Sequence, residues 1–315
     1  MEKTFTIINQ VLPIILLLLL GGWIQYKNFL TNATIEDLRK IVVNFALPAV
    51  LFTSFLNVEM KWDYIITFGI VFLLCVLLLL LGKYIGGKFA AQYSYFPYLI
   101  TGFEYGMLGV SLFGAAYGLE KIGYIAVMDL GHEIFIWFVF LPLLLIKRDG
   151  SQNPAGILRT FLSTPVVIAI LAGIALNILG AGKFAAQAPF VGGVMSTLGF
   201  LGNLTVPLIL IIVGYGIKIN RAGLSKAVSV VALRLGILIP IVLILDNYLI
   251  KGYMHLEKLF GIALFTLFIL PPPFILPLYA RTDIEVEEKQ YINNVLAVYT
   301  VVSILIFLVY FALNQ

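Results

Sequence analysis

The chain is 315 residues long, 61% hydrophobic and 11% charged, with a mean hydropathy of +1.05. That balance excludes a soluble globular domain, whose surface needs many more ionisable groups. The net charge of +4 carries no signal for nucleic acid, because it arises from the loops between apolar runs, and the single cysteine, Cys75, excludes a disulfide within the chain.

Stretches apolar enough to cross a bilayer, which takes roughly 20 residues, recur from end to end. Span 1, at 4–26, has the apolar core of a signal peptide but no small-x-small cleavage site after it, so a retained helix is expected. Spans 2 and 3 follow at 41–58 and 64–82. Span 4, at 95–119, contains Glu104, and span 5, at 122–146, contains Asp129, His132 and Glu133. Span 6 is read at 160–182. Span 7 lies within 184–217 and is expected to open on a non-helical stretch at 185–194, which carries a proline and paired glycines. Span 8, at 224–245, contains Arg234, and spans 9 and 10 lie at 259–280 and 290–315. The expected fold is an all-α polytopic membrane protein of ten transmembrane helices.

The charged piece 147–159 divides these into a first five-helix repeat, 1–146, and a second, 160–315. Asn44 and Pro48 in span 2 are matched by Asn203 and Pro207 in span 7, each pair separated by three residues. Span 5 carries Ala126 and Asp129, and span 10 carries Ala297 and Thr300 at the same spacing. In each half the fourth span holds helix breakers: Gly102, Gly106 and Gly109 in one, Pro271, Pro272 and Pro273 in the other. Matches in the same order indicate internal duplication. Loops after spans 1, 3, 5, 7 and 9 hold thirteen of the twenty lysines and arginines, so that side is cytoplasmic and both termini lie outside. Five helices per half then put the repeats in opposite orientations, the plan of many secondary transporters.

Proline removes an amide donor and clashes with the preceding turn. The carbonyls it frees are tolerated at mid-membrane only against protein or a water-filled cavity. The run at 271–273 is therefore read as an unwound stretch that meets the glycine-rich break of span 4, with discontinuous spans 4 and 9 crossing at mid-membrane and half-helix amino ends attracting anionic groups. A charged group at that depth costs about 2.5 kcal/mol or more, so Glu104 reads either as a proton or cation site or as a carboxylate bonded to an unwound amide. Asp129 and Glu133 share a helical face with His132 beside it. With two histidines in the chain, neither followed at metalloprotease spacing, no metal site and no cofactor are expected. Arg234, alone well inside a span, is expected to pair with Asp129, Glu133 or Glu104, as a structural ion pair or as a proton-linked switch. Asn44 and Asn203 either bond freed carbonyls or line a solute path together with Pro48 and Pro207.

Several segments resemble the auxin efflux carrier family in its bacterial branch: FALPAVLFTSF at 45–55, the pair Gly106 and Gly109, YIAVMDLGHEIFIW at 124–137, LGNLTVPLILIIVG at 201–214, ALRLGILIP at 232–240, and the stretch from Pro271 to Ser303. The resemblance covers essentially the whole chain. It implies a scaffold of spans 1, 2, 6 and 7, a moving domain of spans 3–5 and 8–10, and elevator-like alternating access. It also implies a solute site by the crossing, where Tyr105 lies beside Glu104. Small organic anions such as malate, malonate or auxin are the solute class implied. Glu104 and Ser111 stand where the family usually has asparagine and proline. The combined expectation is a non-enzymatic secondary transporter of the cytoplasmic membrane. It would move a small organic, mainly anionic solute with H+ (or Na+) as coupling ion, and it could pair as a homodimer. A sodium-coupled carrier of the bile-acid type, or a channel or sensor on the same fold, is the alternative.

Overall fold

The computed structural model describes residues 2–58, 63–90, 92–149, 154–180, 189–221, 223–280 and 285–314, and among these every regular element is helical. The chain begins with α1 (Glu2–Tyr26) and α2 (Asn32–Ile41), which a π-turn (Val42–Ala46) joins to α3 (Leu47–Asn57). Then come α4 (Asp63–Phe89), α5 (Phe96–Ile100), a π-turn (Tyr105–Gly109), α6 (Val110–Tyr117), α7 (Ile122–Phe135) and α8 (Leu141–Asp149). The second half holds α9 (Pro154–Ser163), α10 (Pro165–Ile178), α11 (Pro189–Asn203), α12 (Thr205–Gly216), α13 (Leu224–Ile244), α14 (Lys258–Ile269), α15 (Leu276–Tyr279) and α16 (Val286–Asn314).

Among the described residues seven helical stretches are long and apolar enough to cross a membrane, one of them, Phe96–Tyr117, with a break inside it, and eight if α9 and α10, bent by 67°, count as one. Two shorter apolar helices, Val11–Tyr26 and Lys258–Ile269, complete the set. The bend falls inside the run 160–182 read as span 6. Pro165 has no amide to extend the α9 ladder, and Thr164 before it is extended at φ −70°, ψ 127°. Span 2 starts nine residues earlier than its uncharged run, at Asn32. Thr31 caps it by accepting from the Thr34 amide at 3.1 Å, and Arg39 and Lys40 pair one turn back with Glu36 and Asp37 at 2.9 and 2.8 Å. Span 7 also differs: Pro189 takes the first turn of α11, so 189–194 are helical, while the rest of the expected non-helical stretch, 185–188, lies outside the described residues. Residues 150–153 of the expected linker and Arg281 lie outside them too.

Close packing sorts the helices into two groups. The most extensive contacts join α1 to α12 and α3 to α10, with α11 also against α3. A second set joins α4 to α7 and α5, and α13 to α16 and α14, with α14 also against α7. In lipid no apolar driving force pulls helices together, so small residues that admit close backbone approach become decisive. A Cβ added at Gly21 would strike the Ile211 carbonyl, and one at Gly214 the Leu18 carbonyl, so α1 and α12 interlock through reciprocal glycines. Gly131 of α7 lies in the same way against the Phe68 carbonyl of α4.

Two interruptions lie in the second group. After α5 the chain is non-helical over 101–104, and after α14 over 270–275. The two touch. The Glu104 amide donates to the Pro271 carbonyl at 2.8 Å. Gly102 adopts φ +70°, and a Cβ there would lie 2.7 Å from Pro273 Cγ, so backbone conformation and proximity both call for glycine. A Cβ at Gly109 would lie 2.8 Å from Leu270 Cδ1. Pro271, Pro272 and Pro273 are all buried here. Their missing amides would have served the carbonyls of residues 267–269. Instead the Leu270 amide takes Leu267 O at 3.2 Å, and the Ser303 hydroxyl takes Ile269 O at 2.5 Å.

Candidate functional site

Glu104 precedes the π-turn that begins the α6 rod and caps it: Oε1 accepts from the Met107 amide at 3.2 Å. Oε2 accepts from the Phe274 amide, just past the three prolines, at 2.6 Å. With its own amide on Pro271 O, this residue ties the two interruptions together at two points. The carboxylate is 8% exposed. Its two oxygens accept from converging amides of opposite halves of the chain, an arrangement that is charge-assisted, and stronger than a neutral pair, when the group is ionised.

Beside it, His132 Nε2 accepts from the Phe103 amide at 2.8 Å, so the ring proton belongs on Nδ1, which faces Asp129 Oδ1 at 2.8 Å. Glu133 accepts from Trp137 Nε1 at 3.0 Å. Glu104, Tyr105, Gly106, His132, Glu133 and Pro273 all border a cavity of about 170 Å³ that Trp137 and Tyr279 complete. Ligand atoms of Asp129, His132 and Glu133 lie within 4.8 Å of one another. Both imidazole nitrogens are engaged in hydrogen bonds, Nδ1 with Asp129 and Nε2 with the Phe103 amide, while Glu133 is bonded to Trp137.

Arg234 corrects the sequence reading. Among the described residues no carboxylate pairs with it. Its guanidinium donates to backbone carbonyls instead: Leu99 O at 3.2 Å, Leu270 O at 3.4 Å, and Gly102 O. The rings of Phe103 and Tyr299 lie 5.3 and 5.1 Å away, within cation–π range. The interruptions release carbonyls, and these supply the negative ends that the sequence reading assigned to side-chain acids.

A larger cavity of about 530 Å³ runs from polar residues at helix ends, Asn32, Arg39, Lys218, Asn220, Gln290 and Asn293, to Met107 and Phe274, the residues whose amides hold Glu104. Asn294, Thr300, Tyr215 and Pro277 also line it. Sequence reasoning assigned none of these residues to a site, and Thr300 entered it only as a match between the repeats. The usable signal was the helical spacing of Gln290, Asn293, Asn294, Ala297 and Thr300, which places them on one face of α16. Asn44, Pro48, Asn203 and Pro207 border neither cavity. Asn44 donates to the Lys40 carbonyl at 2.8 Å within its π-turn, and Asn203 is exposed where α11 ends. Span 2 meets the first interruption through Leu47, whose Cδ2 would lie 3.7 Å from a Cβ at Gly106. Gly109, Pro271 and Pro272 belong to the contact between interruptions rather than to a cavity wall.

Residues 6–157 match the family described as membrane transport protein. A protein of Methanothermobacter thermautotrophicus described as an uncharacterized transporter is 25% identical over 243 residues, covering 72% of this chain and 74% of that protein.

Proposed function

We propose that this chain, whose residues 6–157 match the membrane transport protein family and whose segments resemble the auxin efflux carriers, is a proton-coupled secondary carrier of small organic anions. One observation carries this reading. The Met107 and Phe274 amides, at the inner end of the 530 Å³ cavity, are held by a carboxylate the protein itself supplies. When Glu104 takes a proton, those amides lose their anionic acceptor, and a solute carboxylate entering the cavity replaces it. The solute then travels with one proton, which resides on Glu104. His132 and Glu133 border the small cavity behind Glu104, and Asp129 holds the His132 ring through Nδ1.

Ten spans, made of the eight longer units and the two shorter helices, form two inverted five-helix repeats in this scheme. The packing supports the inversion. Contacts of span 1 with span 7 mirror those of span 6 with span 2, and contacts of span 3 with spans 4 and 5 mirror those of span 8 with spans 9 and 10. The same partition supports a scaffold of spans 1, 2, 6 and 7 and a mobile unit of spans 3–5 and 8–10, which moves as a rigid body with the crossed interruptions at its centre. With both termini outside, the large cavity opens to the cytoplasm of a cell bounded by this membrane.

The test is uptake of labelled malonate by proteoliposomes across pH. The expected result is acid-stimulated uptake by the wild type and a flat profile for Glu104→Gln. Acid stimulation that persists in Glu104→Gln removes the residue from coupling, and single-channel currents would replace the carrier with a channel.

A further inference from the structure

Where a transporter helix is unwound, its freed carbonyls and half-helix carboxyl ends are the groups that coordinate a coupling sodium ion. In this chain those groups converge on one side chain. Leu99 O comes from the carboxyl end of α5, Gly102 O from the first interruption and Leu270 O from the second, and all three accept from Arg234. The side chain is fully buried, between the faces of Phe103 and Tyr299. The neighbouring carbonyl, Ile269 O, is taken by Ser303, so the guanidinium serves the ones left over. Among the described residues no acid shares the site. A planar fork is suited to this position. It is more weakly hydrated than an ammonium, keeps its charge, and reaches several acceptors at fixed angles.

We infer that Arg234 is the resident cation of the junction: it occupies the carbonyl seat that a coupling sodium ion would take, and it holds the two interruptions as one unit. Sodium coupling through that seat is therefore closed to the carrier. That last consequence rests on the carrier reading, whereas the occupied seat does not. Glu104 is the counterpart on the amide side, so the junction carries a built-in ligand of each sign. Arg234 is a positioning residue in this account, because it touches the backbone of both interruptions and borders neither cavity.

The test needs no transported solute, so its failure and a failure of the Glu104 uptake experiment are read separately. Purified protein in detergent is melted during two titrations. Wild type with sodium chloride is compared with choline chloride at equal ionic strength, and coincident melting midpoints are expected. Arg234→Ala is titrated with low-millimolar guanidinium chloride. A saturable rise in midpoint is expected that wild type does not show and urea does not reproduce. Arg234→Gln takes the same titration where the alanine variant is not recovered folded. A sodium-specific, saturable rise in the wild type overturns the inference, as does a guanidinium response no larger in the variant than in the wild type. A sodium response confined to the variant supports it, since the vacated carbonyls would then accept the free ion.

Discussion

Glu104→Ala exposes the anion seat on which the proposed mechanism depends. The substitution strips the Met107 and Phe274 amides of a carboxylate that accepts from them at 3.2 and 2.6 Å. A buried amide left unsatisfied costs about 1–3 kcal/mol, so the pair should cost about 2–6 kcal/mol. Glu104→Gln keeps one acceptor oxygen but turns an amine donor toward the second amide, which puts its loss at about 1–3 kcal/mol. The expected order of melting midpoints is wild type, glutamine, alanine. Acetate has the size and charge of the group removed, and at a hundred times its dissociation constant it should return about 2.7 kcal/mol to the alanine variant. The assay is thermal unfolding of purified protein in acetate against chloride at matched ionic strength. If acetate raises the alanine variant no more than it raises the wild type, the two amides do not form an anion seat and the exchange mechanism fails with them.

Gly102→Ala should lose about 1–2 kcal/mol to the left-handed backbone and about 1–3 kcal/mol more to overlap with Pro273. Gly236→Ala, with nothing within 4 Å of the added Cβ, should be neutral or gain up to about 1 kcal/mol of helix propensity; equal melting of the two would refute the close approach at Gly102. Gly214→Ala drives a methyl into the Leu18 carbonyl, and separation of α1 from α12 should cost about 1–3 kcal/mol in denaturant unfolding. Native Cys75 is buried, so an introduced thiol reports its own location. Asn293→Cys should react with a membrane-impermeant maleimide in inside-out vesicles, and Tyr253→Cys in right-side-out ones; the reverse pattern would invert the topology.

The spans were legible because uncharged runs in lipid have few alternatives to a helix, and the interruptions because three successive prolines and a cluster of glycines leave little choice of backbone. Element edges were less so. The polar turn Asn32–Ile41 belongs to the helix that crosses, yet its charges read as loop. A Thr-Pro step bends span 6 without lengthening or shortening its apolar run. At the site, Glu104 was identifiable as a costly buried acid, and one of its two readings, bonding to unwound amides, is what the geometry contains. The partner of Arg234 was misassigned for a physical reason. A sequence displays its charged side chains but not its unpaired carbonyls, and at a broken helix the carbonyls are the stronger presence. The wall of the large cavity escaped notice because amide side chains on α16 carry no charge to attract attention.

The ties across the junction also set an order of assembly. Glu104 and Phe274 are 170 residues apart, which a ribosome adding about 5–20 residues per second takes roughly 10–30 s to cover. Until Arg234 is made the nascent first half holds a bare Gly102 carbonyl, and until Phe274 is made it holds an acid at membrane depth with only its Met107 tie in place. Those groups must lean on water or on the insertion machinery meanwhile, so the centre of this protein waits on its second half to be born complete.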